Sequence, residues 1–346
     1  MGNSIVIANR LNWIDWAKTI AIMLVVFGHI PEDKGNFLIH YVVQIHMPLF
    51  FFISGYLTKK ELLCKATLIK YWHTLIIPYF YYNILFIPYW IVRHFIDVPN
   101  AEWFDVIRPL IGTLLLQFSS SFFEPLNEVT WFIAALLVMK VLLSICNKYK
   151  TGMTLMSILA LISAFTYILN EGYRFCIDLP FVGFVKCFPF FFIGHLCKQK
   201  KWTSEEPERR NLFFCIIGIT ISLTAYIYEK NTPGLIIYGI CFWIAGITAI
   251  IGVLSLCKML DNVHLNIIDN ISIGTIVIMG LHWILIGVTN FILSKLLHIP
   301  NITYSLWGAI LLTLLFMVIL YPVILLFKNK YPFMLGKSTL INQQKS

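Results

Sequence analysis

The sequence predicts an all-α, polytopic membrane protein of about ten transmembrane helices, with both termini cytoplasmic. Three observations predict it. Hydrophobic residues make up 59% of the 346 residues and charged residues 12%, where a soluble domain carries about 25% charged. The apolar residues fall in runs close to the 20 or so needed to cross the hydrocarbon core of a bilayer, and the mean hydropathy is +0.79. The 26 Lys and Arg outnumber the 17 Asp and Glu, and most of them lie between alternate runs, as the positive-inside rule expects of cytoplasmic loops. The net charge of +9 is therefore read as loop bias, and no nucleic-acid partner is expected.

The runs place spans near 14–31, 38–57, 71–93, 130–147, 152–170, 180–197, 211–228, 234–257, 267–290 and 302–327. An eleventh candidate, 103–118, carries Asp105, Arg108 and Pro109. Counting it as a span would move the lysine-rich stretch Lys198–Lys201 to the outside, so it is expected to be interfacial or re-entrant on the outer side. This divides the chain into a cytoplasmic segment 1–13, a transmembrane domain 14–327 and a cytoplasmic tail 328–346. The first apolar run is interrupted at its start by Asp15 and Lys18 and has no small-residue cleavage site, so it is expected to stay in the mature protein. The eight cysteines are scattered along the apolar runs, with neither metal-ligand spacing nor a disulfide framework. No metal site is expected. No internal repeat is evident, which counts against inverted-repeat transporters.

The most informative stretch is Asp15 to His29, DWAKTIAIMLVVFGH. Ionisable groups in hydrocarbon cost about 2.5–3.5 kcal/mol each on insertion scales, so their presence calls for a protein interior or a function. A helix turns 100° per residue. Lys18 and His29 are eleven apart, so they share a face and are separated by about 16 Å along the axis; Asp15 and Lys18, three apart, are neighbours. Asp15 and Lys18 also fit interfacial anchors, since a lysine can snorkel from a span end. His29 follows a charge-free run from Thr19 to Phe27 and is the strongest catalytic candidate. Asp15 and Lys18 are its supports.

Other polar residues fall at membrane depth. The second span holds His46, Pro48 and Ser54-Gly55-Tyr56; His46 and Ser54 are candidate substrate contacts, although Ser54-Gly55 equally suits close helix packing. Glu124, Asn127, Glu128 and Trp131 precede the fourth span, where two carboxylates beside aromatics either mark the interface or point into an outer cavity that binds sugar hydroxyls. Arg93 ends the third span, Lys186 lies in the sixth and His282 in the ninth; these too are candidate substrate contacts, and His282 also fits a hydrogen-bonded core histidine. Lys59, Lys60, Lys70 and His73 form a basic group on the cytoplasmic side. It follows from topology alone, or it attracts an anionic donor bearing a nucleotide.

These pieces resemble the integral-membrane acyltransferase-3 family, and among its members those of the fucose 4-O-acetylase type. The resemblance rests on Asp15-Trp16-Ala17-Lys18 followed by Gly28-His29, on His46-Met47-Pro48-Leu49-Phe50-Phe51-Phe52-Ile53-Ser54-Gly55-Tyr56, on Ile77-Pro78-Tyr79 and Trp131-Phe132, on Phe188-Pro189-Phe190-Phe191-Phe192-Ile193-Gly194, and on Ile273-Gly274 leading to His282. It covers nearly the whole chain. It implies ten helices in the cell inner membrane, an acyl-CoA donor such as acetyl-CoA as co-substrate with no bound cofactor, O-acylation of a carbohydrate, and His29 as the catalytic histidine. The family often has Arg eleven residues before that histidine; here it is Lys18, which keeps the charge but lacks the bidentate fork that suits phosphate. Histidine suits a general base because its ordinary pKa lies near 6.5; a covalent acyl-histidine relay is the alternative within the class. The competing class is a transporter or flippase for a glycan or lipid precursor, its pathway lined by Lys186 and His282.

Overall fold

The structure, a computed structural model, describes residues 11–32, 36–98, 100, 102–116, 126–173, 182–200, 208–232, 234–298 and 302–336. It is helical throughout, and the one β-bridge among these residues pairs Glu32 with Tyr304.

Helix α1 (Asn12–His29) starts where its first-turn N–H groups find partners outside the helix. The Trp13 amide donates to the Asp261 carboxylate at 2.7 Å, and the Asn12 side chain donates to the carbonyls of Asp261 and Val263 at 2.6 and 3.0 Å. A carboxylate at a helix N-terminus satisfies orphan amides and complements the dipole. The helix ends at His29, ahead of Pro31, whose ring disfavours helical geometry in the residue before it.

Helix α2 (Phe37–Leu57) is capped by Asn36, which accepts from the Leu38 amide, and carries the proline of the second span inside it. Then come α3 (Lys65–Tyr71), a single π-helical turn (Trp72–Ile76) and α4 (Ile77–Asp97). Pro78 has no N–H to continue the ladder, and the widened turn sits just before it. Helix α5 (Ile107–Leu114) is about 12 Å long, too short to span, as expected of the 103–118 segment. The remaining helices are α6 (Trp131–Cys146), α7 (Gly152–Tyr173), α8 (Val182–Gln199), α9 (Glu208–Asn231), α10 (Leu235–Met259), α11 (Asn266–Ile273), α12 (Thr275–Leu297) and α13 (Leu306–Lys330). The stretch expected to form one span at 267–290 is thus two helices, broken at Gly274. A Cβ there would lie 2.5 Å from the Ile324 side chain of α13.

Among the described residues, eight helices are long and apolar enough to cross a membrane, against the ten expected. The two not in that set are α1 and α8, which carry Asp15, Lys18, Lys186 and His195. Their polarity has a structural counterpart. Helix α1 packs against α2, α10, α11, α12 and α13, and α8 packs against α2, α6 and α7, so protein, not lipid, surrounds much of each.

Helices α2 and α8 approach most closely. A Cβ at Gly55 would lie 1.9 Å from the Phe191 carbonyl oxygen, and one at Gly194 would lie 2.1 Å from that of Phe52. Each glycine therefore faces the residue three positions before the other, and small residues are what allow two backbones this near in a membrane.

The end of the molecule that holds Lys18 also gathers Lys59, Lys60, Lys65, Lys70, Lys140, Lys148, Lys198, Lys258 and Lys328. The opposite end holds His29, the start of α2, the ends of α4 and α12 and the start of α13.

Candidate active site

Three imidazoles meet where α1, α2 and α12 converge. The His29 ring centroid lies 5.0 Å from that of His282 and 5.9 Å from that of His46, and Trp283 meets the His29 ring edge-on at 5.3 Å. His46 and His282 are 4% and 0% exposed, whereas His29 keeps partial exposure. Of the three, His29 is the one a reactant can reach. Gly28 makes room for the cluster, since a Cβ there would lie 3.6 Å from the His46 ring and 3.2 Å from Val43.

Backbone carbonyls fix the tautomers. His46 Nδ1 lies 2.8 Å from the Val42 oxygen, and His282 Nδ1 lies 2.9 Å from the oxygens of Ile278 and Met279. A ring nitrogen facing only carbonyl oxygens must carry the hydrogen, so in the neutral ring the other nitrogen holds the lone pair. His282 Nε2 is therefore an acceptor. It lies 3.3 Å from His29 Nδ1, which also lies 2.8 Å from the Val25 oxygen. With acceptors on both contacts, His29 Nδ1 carries the hydrogen, and the lone pair of His29 sits on Nε2. Each carbonyl comes from four residues earlier on the same helix as its histidine (for His282, from three as well), so local helix geometry sets the tautomers and the fold brings the rings together.

Asp15 and Lys18 lie about 21 and 16 Å along α1 from His29. Asp15 is buried and accepts a hydrogen bond from the Ser272 hydroxyl at 2.5 Å, while the Lys18 ammonium donates to the Ser272 carbonyl. Both tie α1 to the end of α11, and neither contacts His29.

The other expected site residues disperse. Ser54 lies eight residues beyond His46, about 12 Å further along α2. Lys186 lies over the rings of Tyr167 and Phe242, at 5.8 and 5.4 Å. Asn127 is fully buried, with its side-chain amide donating to Gly280 O at 3.1 Å, and its backbone N–H donates to Asn83 Oδ1 at 3.2 Å. It joins the start of α6 to α4 and α12. Trp131 stacks on Phe51, with centroids 5.8 Å apart. Glu128 is exposed. Glu124 lies outside the described residues. Arg93 lies at the His29 end, paired with Asp97 at 2.5 Å.

At the opposite end Lys59 and Lys60 are exposed, His73 sits in the π-helical turn, and Lys70 pairs with Glu61. Lys140 of α6 belongs to the same end, its carbonyl 3.4 Å from the Tyr71 hydroxyl at the end of α3. Three participants were not singled out from sequence: Trp283, Ser272 and Lys140. Only Trp283 left a signal, as the neighbour of His282. Among the described residues no group of three His, Cys, Asp or Glu side chains is placed to hold a metal ion.

A partly exposed histidine at the end of α1 thus lies against two buried ones, within a multi-pass helical membrane protein. The chain matches the family model of the acyltransferase domain over residues 11–328; it belongs to the acyltransferase-3 family and is a membrane acyltransferase. No curated protein and no solved structure matches it.

Proposed function

We propose that the protein moves an acyl group, acetyl in the first instance, from acyl-CoA to a hydroxyl of a cell-surface carbohydrate or its lipid-linked precursor. The observation that carries this reading is the lone pair of His29 Nε2, set by its Nδ1 contacts to Val25 and His282. A sugar hydroxyl is a poor nucleophile until a base takes its proton, and a positioned histidine contributes about 10²–10⁴-fold. In the proposed step His29 Nε2 takes the hydroxyl proton as the oxygen attacks the thioester carbonyl. The resulting imidazolium retains two acceptors at Nδ1. Collapse of the tetrahedral intermediate breaks the C–S bond, and the proton on Nε2 passes to the leaving thiolate.

The Lys-rich end is the proposed entry for the donor, with Lys59, Lys60, Lys70, His73 and Lys140 attracting its phosphates. Basic residues mark the cytoplasmic side of membrane proteins, so this end faces the cytoplasm of the inner membrane and His29 lies toward the outer leaflet. The thioester then reaches His29 along α1, and Asp15 and Lys18 act by holding α1 to α11. Family membership favours group transfer over the transporter reading.

The test is the ester-linked acyl content of surface glycans in wild type, a deletion strain, and the deletion carrying an inserted His29→Ala protein. Loss without rescue is expected, and the mass of the released acid names the acyl group. Unchanged ester content in the deletion strain overturns the proposal.

A further inference from the structure

The His29 end contains a cavity of about 480 Å³, within the roughly 300–1,000 Å³ typical of small-molecule sites. Pro31, two residues beyond His29, forms part of one wall. The end of α4 contributes Arg93 and Asp97, and α12 contributes Asn290, Phe291 and Lys295.

The Arg93 guanidinium lies 5.8 Å from the centroid of the Phe291 ring, and the Lys295 ammonium lies 5.6 Å from the same centroid. One aromatic ring thus meets two cations that also line the cavity, where an anion would find positive partners from both α4 and α12. Asp97 offsets Arg93 alone, through one of five guanidinium N–H groups. Among the described residues no carboxylate forms an ion pair with Lys295. The side-chain oxygen of Asn290 accepts from the Tyr304 hydroxyl at 2.7 Å, which leaves the amide N–H groups as donors. The cavity therefore offers donors and positive charge, plus one carboxylate able to accept from hydroxyls.

We propose that this cavity is the acceptor site and that the acceptor is a saccharide bearing an anionic group, held between Arg93 and Lys295 while a hydroxyl reaches toward His29. The proposal rests on the acyl-transfer reading for the identity of the ligand as acceptor, and its test does not depend on turnover. A uronate carboxylate and a sugar phosphate share the required chemistry.

Purified full-length protein in nanodiscs is titrated calorimetrically, without donor, with three size-matched oligosaccharides: one neutral, one ending in a uronic acid, and one carrying a phosphate monoester. At least one charged ligand is expected to bind about tenfold more tightly than the neutral one, from charge-assisted hydrogen bonds. This preference shrinks at high salt because the cavity is open enough to be screened, and the tighter of the charged ligands identifies the anion. Arg93→Gln and Lys295→Gln each abolish the preference. Lys230→Gln, which removes a charge at the same end but outside the cavity, preserves it. No binding, equal affinity for neutral and charged ligands, or an equal loss in Lys230→Gln overturns the proposal. Thiol release from acyl-CoA, measured separately, reports on the acyl-transfer reading, so the two fail independently.

Discussion

Replacing His29 by alanine removes the nitrogen that would take the hydroxyl proton. Acyl transfer by the purified variant is expected to fall by about 10²–10⁴-fold, measured as thiol release in the presence of acceptor; a rate within threefold of wild type rules out His29 as the base. In the proposed step His282 acts through its contact with His29, so its replacement separates positioning from packing. Glutamine retains an acceptor for His29 Nδ1–H, whereas phenylalanine fills the space without one. His282→Gln is expected to keep a kcat at least about tenfold above that of His282→Phe, with similar KM values for donor; equal kcat values reduce His282 to a space-filling role. Asp15 is expected to behave as a structural residue. Asp15→Ala takes from the buried Ser272 hydroxyl its carboxylate acceptor, and hydrogen bonds to charged groups are worth about 1.5–3 kcal/mol. The expected result is a lower melting temperature and yield in detergent. Unchanged stability with lost turnover would place Asp15 in the chemistry instead.

At the scale of the element, two glycines decide how α2 and α8 meet. Gly55 and Gly194 each face a backbone carbonyl of the other helix, and a carbonyl on a helix cannot rotate away as a side chain can. Gly55→Ala is expected to destabilise by at least about 1–3 kcal/mol, the usual cost of overpacking, and Gly194→Ala similarly. Recovery of folded protein by size-exclusion chromatography checks this; full recovery with a wild-type melting temperature would show that the contact can open. Both glycines stood out in the sequence, each after a phenylalanine-rich stretch following Pro48 or Pro189. Packing was foreseen for Ser54-Gly55, but the partner helix was not, because nothing local specifies which glycine meets which. The break at Gly274 escaped notice for a similar reason: the apolar pattern runs on across it, and Ile324 of a later helix occupies the space.

The whole molecule separates its charges between two ends, and this has a topological consequence. If α1 and α8 both cross the membrane along with the eight apolar spans, reporter fusions after Lys60, Lys150, Lys200 and Asp261 report cytoplasm. Fusions after Asn100, Tyr173, Asn231 and His298 then report the outer side. Any pair of neighbouring fusions on the same side would remove a span and overturn the ten-crossing arrangement. The ends also divide the labour in the proposed reaction, with the lysine-rich end facing the donor and the histidine end facing the acceptor. Helix α1 joins the two, and its position among five other helices explains how it carries polar groups that lipid would not accommodate.

The sequence by itself determined that the chain is a multi-pass helical membrane protein of the acyltransferase-3 family and where most of its helices fall, because apolar run length and glycine and proline positions are local properties. It also singled out His29, since a histidine closing a charge-free span has few alternatives. It did not show which of the other polar residues meet. Asp15 and Lys18 share a face with His29, yet their partner Ser272 lies more than 250 residues later in the chain and draws them into a brace between α1 and α11. Only the tertiary structure brought His46 and His282 to His29, fixed the nitrogen that bears the lone pair, and set Arg93 and Lys295 against one phenylalanine. Contacts between distant helices depend on packing that no local pattern encodes.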